Sequence, residues 1–158
     1  MTKAEKAAKI IADEIKKNIA VLEAKFGYEE MLARCGRILT IDRIAYFSDS
    51  PYDGNCKYGR YMTGLALYMY YIERYNEQYV ERKDQERLDE LFRTACREAG
   101  YDQKAVDGLR WGGRKDIRMR VLPKVVEFFD EGFLTDSEAA YRKAWDEKPY
   151  KDINYGWD

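Results

Sequence analysis

The chain of 158 residues contains no histidine. That absence removes the side chain that titrates nearest neutral pH and most often ligates transition metals. With it go Ser-His-Asp and Cys-His catalysis, HExxH zinc sites, proximal-histidine haem and ExxH di-iron centres. Cysteine is scarce as well: the three present, Cys35, Cys56 and Cys96, are widely spaced and form no CxxC pair. Neither a disulfide framework nor a metal or redox pair is readable, so they are expected as free thiols, two on helix faces and one in a loop. No apolar run of about 18 residues occurs, so no membrane-spanning segment is expected. Charges interleave through the opening MTKAEKAAKIIADEIKK as on a surface helix rather than a secretory leader, which gives a cytoplasmic address. Charge of one sign is missing too: 28 basic against 29 acidic side chains leave a formal charge of −1. A surface devoted as a whole to polyanions, or an acidic mimic of nucleic acid, is excluded, and any electrostatic function must be local.

What is present is enough to fold. Apolar residues make up 46% and charged residues 36% of the chain, which supplies a core and a well-solvated exterior for one domain of this length. Thr2 and Glu5 have the T-x-x-E spacing of a capping box, and Ile11, Ile15, Ile19, Leu22 and Phe26 then recur at helical steps until Gly27 offers a left-handed stop. Met31, Cys35 and Ile38 restart the period; Gly36 weakens it, and residues 37–47 read as helix in preference to strand. SDSPYDGNCK, residues 48–57, is a loop by composition. Asp84 can cap a helix carrying Leu88, Leu91, Ala95 and Ala99 and closed by Gly100, and Asp102 can cap another carrying Ala105, Val106 and Leu109. After RWGGRKD an apolar period runs around Pro123 to Gly132, and T-D-S-E at 135–138 is expected to open a last helix with inner residues Ala140, Tyr141, Ala144 and Trp145, ended by Pro149. The fold class is all-α: six to eight helices in one orthogonal or bundle-like domain over residues 1–149, with a short aromatic tail at 150–158.

Two segments carry functional expectations. In YGRYMTGLALYMYYIERYNEQYV, residues 58–80, Tyr58, Tyr61, Leu65, Tyr68, Ile72, Tyr75 and Tyr79 alternate at steps of three and four, one seam of a helix flanked by Met62, Ala66 and Met69. A tyrosine buries a large apolar ring while its hydroxyl demands a partner, so the seam suits the boundary of a core or the centre of a protein interface. Tyr68, Tyr71, Tyr75 and Tyr79, with Tyr155 and Trp157 of the tail, are the candidate protein-binding residues.

The second segment is FRTACREAGYDQKAVDGLRWG, residues 92–112. It places the small Cys96 four before Gly100 and sets Val106 and Leu109 at inward positions beyond the turn. In this it resembles the helix-turn-helix motif, as does any αα-hairpin with a glycine turn. The resemblance implies that Gln103, Lys104, Asp107 and Arg110 face outward, and that Arg110, Arg114, Lys115, Arg118, Arg120 and Lys124, opposed by Asp116 alone, can neutralise phosphates. Trp111 and the Gly112-Gly113 pair are expected to make the intervening loop accessible and mobile.

Catalytic constellations are not legible. Asp13-Glu14, Glu29-Glu30, Asp89-Glu90 and Asp130-Glu131 are adjacent carboxylates about 100° apart on a helix, and are expected on solvated faces. Gly112-Gly113 before Arg114-Lys115 lacks the phosphate-loop spacing. Cys56, near Asp53, Lys57 and Arg60, has no histidine to activate it. The expectation is therefore a binding module working through a protein partner as a regulator or inhibitor, with a homo-oligomer admissible and no cofactor or metal. Nucleic-acid binding through residues 103–124 is the alternative, and an enzyme without histidine chemistry stands third.

Overall fold

The computed structural model describes residues 1–41, 82–110 and 113–147. Among them the chain is all-α, with six α-helices, one 3₁₀ turn and no strand. The helices are α1 (Lys3–Phe26), α2 (Tyr28–Ile41), α3 (Arg82–Ala99), α4 (Gln103–Asp107), α5 (Lys115–Val125) and α6 (Glu131–Glu147), with the 3₁₀ turn at Val126–Phe128. The tyrosine stretch 58–80, the loop 48–57 with Cys56, residues 42–47, Trp111, Gly112 and the tail lie outside the described residues.

Local chemistry sets most of the helix ends. The Thr2 hydroxyl accepts from Glu5 N–H at 3.1 Å and the Glu5 carboxylate accepts from Thr2 N–H at 3.4 Å, so two amides left orphaned by the first turn are satisfied reciprocally. Gly27 both closes α1 and opens α2: its N–H donates to the Glu23 carbonyl at 2.8 Å and its own carbonyl accepts from Met31 N–H at 3.0 Å. It does so at φ 82°, ψ 160°, a region open essentially to glycine alone. At the end of α3, Gly100 (φ 102°) donates to Arg97 O and Tyr101 donates to Cys96 O, the paired bonds of a Schellman turn. Asp102 then accepts from Ala105 N–H at 2.8 Å and caps α4.

Two expected starts are corrected. Asp84 lies within the first turn of α3 instead of capping it. The last helix begins at Glu131 rather than at the T-D-S-E box, with Asp130 O accepting from Leu134 N–H and Gly132 inside the first turn instead of stopping the previous helix. The reason is burial: Phe133 and Leu134 pack against the core, so the chain is already helical when it reaches Thr135, and a glycine costs little among amides that lack intrahelical partners.

The helix α1 occupies the middle, packing on α3 and α5 and, more lightly, on α2 and the 3₁₀ turn, while α2 packs chiefly on α6. Ala7, Ala8 and Ala12 are fully buried beside Ile11, Ile15 and Leu22, so small side chains let neighbouring helices approach α1 closely. Leu88, Phe92, Ala95 and Cys96 of α3 and Val121, Leu122 and Val125 of α5 join the same hydrophobic cluster. Pro123 is tolerated inside α5 because it is exposed, and the carbonyl it frees belongs to Met119, on the solvent side of the helix.

Gly36 lies where α2 packs closely on the backbone of α6. A Cβ built there would stand 2.5 Å from the Ala140 carbonyl oxygen. In an unobstructed helix Gly→Ala stabilises by about 0.5–1 kcal/mol; here the collision is with backbone, and forcing helices apart costs about 1–3 kcal/mol. Gly36→Ala is therefore expected to lower stability by about 1–2 kcal/mol in urea unfolding, whereas Gly132→Ala, where a Cβ meets nothing, should be neutral or stabilising.

Candidate functional site

The residues expected to meet nucleic acid fall into three physical groups. Arg118, predicted on the exposed basic face, is instead 1% exposed and is the largest fully buried side chain among the described residues. Its Nη2 donates to Asp89 Oδ1 at 2.7 Å and to the Leu109 carbonyl at 3.0 Å, its Nε donates to the Gly113 carbonyl at 2.8 Å, and its guanidinium lies 4.7 Å from the centre of the Phe92 ring. Asp89, read from sequence as solvated, is 2% exposed. A buried cation requires a counter-charge and acceptors, and this arrangement supplies the Asp89 carboxylate from α3 and one carbonyl from each end of the loop before α5. The Gly113 end of that loop is accordingly pinned, with its N–H donating to Arg110 O at 2.9 Å. A Cβ on Gly113 would strike the Gly108 carbonyl, so the loop closes on itself only with glycine there.

Arg114 and Gln103 are engaged locally. Arg114 Nε and Nη2 donate to the two Asp116 oxygens at 3.0 and 2.9 Å. That hydrogen-bonded cation is the main reason the Asp116 carboxyl is pulled down to about 2. Gln103 Nε2 donates to Asp107 Oδ1 at 2.7 Å. Lys104, Arg110, Lys115 and Arg120 are exposed and Lys124 half-buried, yet they do not share one face: at roughly 100° per residue, Lys115 and Lys124 sit about 180° apart around α5.

A groove of about 440 Å³ runs between α2 and α6. Its floor is Leu32, Ala33, Ala140 and Ala144, and charges of both signs, Glu29, Arg37, Asp136, Lys143 and Glu147, stand along its edges. At one end the Tyr28 hydroxyl donates to Asp136 Oδ2 at 2.7 Å, tying the start of α2 to the first turns of α6. Partial burial, followed by this carboxylate, raises the Tyr28 phenol to about 12.

Thiol chemistry has no footing among the described cysteines. Cys35 and Cys96 are both buried. Burial drives the Cys35 thiol far up, and raises Cys96 to about 11 against the opposing pull of Arg118. Among the described residues no group of Cys, Asp and Glu is placed to hold a metal ion, and no helix is long and apolar enough to cross a membrane. Tyr68, Tyr71, Tyr75, Tyr79, Tyr155 and Trp157 lie outside the described residues. No protein-family model, no curated protein and no solved structure matches the chain.

The Arg118–Asp89 pair was readable in principle. Asp89 falls between Leu88 and Phe92 on the apolar face of α3, and Arg118 between Ile117 and Val121 on that of α5. Opposite charges at inward positions of two helices are the signature of a buried pair.

Arg118→Met is expected to destabilise by about 3–5 kcal/mol, because Asp89 is left buried without its counter-charge. Adding Asp89→Leu should recover much of that loss in chemical denaturation, the remainder reflecting the two stranded carbonyls. For Tyr28 the phenol is raised on folding, so its contribution is complete below the unfolded value near 10 and is lost as pH rises toward about 12. Thermal melts of wild type and Tyr28→Phe should therefore differ at neutral pH and converge through that alkaline window.

Proposed function

We propose that the chain is a small cytoplasmic all-α module, one helical domain over residues 1–149 with an aromatic tail at 150–158, that acts by binding another protein as a regulator or inhibitor within a larger complex. The contact is made by the tyrosine-dense stretch 58–80 and the tail, with Tyr68, Tyr71, Tyr75, Tyr79, Tyr155 and Trp157 as the binding residues. What supports this most is the distribution of aromatic side chains. The core of the described helices is built from aliphatic and small residues, and Phe92 and Tyr141 are the aromatics buried in it among the described residues. Tyrosine, 14 in all, is concentrated elsewhere in the sequence. Rigid rings with a polar tip are the residues that dominate protein interfaces.

The described surface agrees. Lys9–Asp13, Lys17–Glu14, Arg34–Glu30, Arg114–Asp116 and Arg142–Glu138 pair opposite charges within one or two turns, which leaves little of the single-sign field a polyanion requires.

A second reading, helix-turn-helix-like binding of DNA or RNA through residues 103–124, draws on the Gly100 turn and on the burial of Cys96, Val106 and Leu109 beside it. It has less support: α4 is five residues long, a short rod for a groove, and Arg118 is withdrawn from the surface.

Affinity capture from native host lysate, with and without nuclease, separates the two. A polypeptide retained after nuclease, and lost from Tyr75→Glu/Tyr79→Glu with an unchanged melting curve, is the expected result. Should that variant fail to fold, Tyr155→Glu/Trp157→Glu supplies the same comparison. Retention of nucleic acid alone, weakening steeply with salt and on Lys115→Ala/Arg120→Ala, would overturn the protein-binding reading.

A further inference from the structure

We propose that the face formed by the α2–α6 groove seats a second copy of this chain, with α6 lying antiparallel to α6 across a two-fold axis. Along the groove side of α6 stand Asp136, Ala139, Ala140 and Lys143, backed by Leu32 and Ala33 of α2. A two-fold axis passing between Ala139 and Ala140 reverses the second helix. Asp136 then faces Lys143 of the partner subunit, and Lys143 faces the partner's Asp136.

The exposed Ala139 and the half-buried Ala140, whose backbone packs on Gly36, flank the axis, where small side chains permit a close approach of the second helix. Charge selects this orientation over its parallel counterpart, which would set Asp136 on Asp136 and Lys143 on Lys143. Each favourable pair is made twice by symmetry, and the mixed signs along the groove suit a surface carrying the same pattern reversed. A contact between single helix faces is at the small end of protein interfaces, so the dimer is weak and reversible.

Sedimentation equilibrium from micromolar to submillimolar protein tests this, with melting curves to confirm that each variant folds. Wild type should self-associate, less strongly as salt rises. Lys143→Glu should weaken association about tenfold or more, because two attractions become two repulsions. Asp136→Lys/Lys143→Glu should restore it to within a few-fold, and Ala139→Arg, which places a long side chain at the axis, should abolish it. A wild-type chain that remains monomeric throughout overturns the proposal, as does self-association indifferent to Lys143→Glu and Ala139→Arg. A different protein held by wild type and lost with Ala139→Arg would assign the groove to that partner and likewise overturn it.

Discussion

The Arg118 guanidinium, stripped of water at the meeting point of α3, α5 and the loop between α4 and α5, imposes its needs on everything around it. A buried cation must be surrounded by acceptors, and these come from the Asp89 carboxylate, the Leu109 and Gly113 carbonyls and the face of Phe92. Helix α5 cannot part from α3 without stranding two charges. The loop cannot open without giving up the bonds that hold both of its ends. The glycines flanking it follow from the same crowding, since a side chain at Gly113 would meet the Gly108 carbonyl and one at Gly108 would press on Arg114. The pair has a functional consequence too, because a basic residue spent inside is one fewer on the surface.

Between α2 and α6 the constraint is steric. Gly36 against Ala140 brings α2 and α6 nearly into backbone contact, and Tyr28 bonded to Asp136 fixes how the two helices start. The groove with its alanine floor lies between these two helices, and its edges carry the charges of solvent-facing helix positions. Fold and candidate surface are thus one arrangement seen from two sides.

What could be read in advance was local. The capping box of Thr2 and Glu5, the stop at Gly27, the turn at Gly100 and the cap at Asp102 all act within five residues and survive in the structure much as their spacing implies. The misreadings share an origin. The T-D-S-E motif is a sound start signal overridden because Phe133 and Leu134, partly buried, pack against the core and extend α6 backward. Charge ordinarily belongs in solvent, and sequence alone puts Asp89 and Arg118 there, whereas each occupies an inward position whose meaning appears only when the partner helix is in place. By sequence Gly36 weakens α2, and the Ala140 backbone shows what its missing side chain makes room for.

The amino-acid order by itself determined the helical class, the helix ends set by hydrogen bonds between near neighbours, and the exclusion of histidine chemistry, since periodicity, capping and residue inventory need no knowledge of distant segments. Only the tertiary structure decided which charges are withdrawn from solvent, which glycine marks a helix crossing and where a groove opens. Those properties arise from contacts between residues far apart in the chain, Arg118 with Asp89 or Gly36 with Ala140, and such contacts depend on how the helices pack rather than on any short run of sequence.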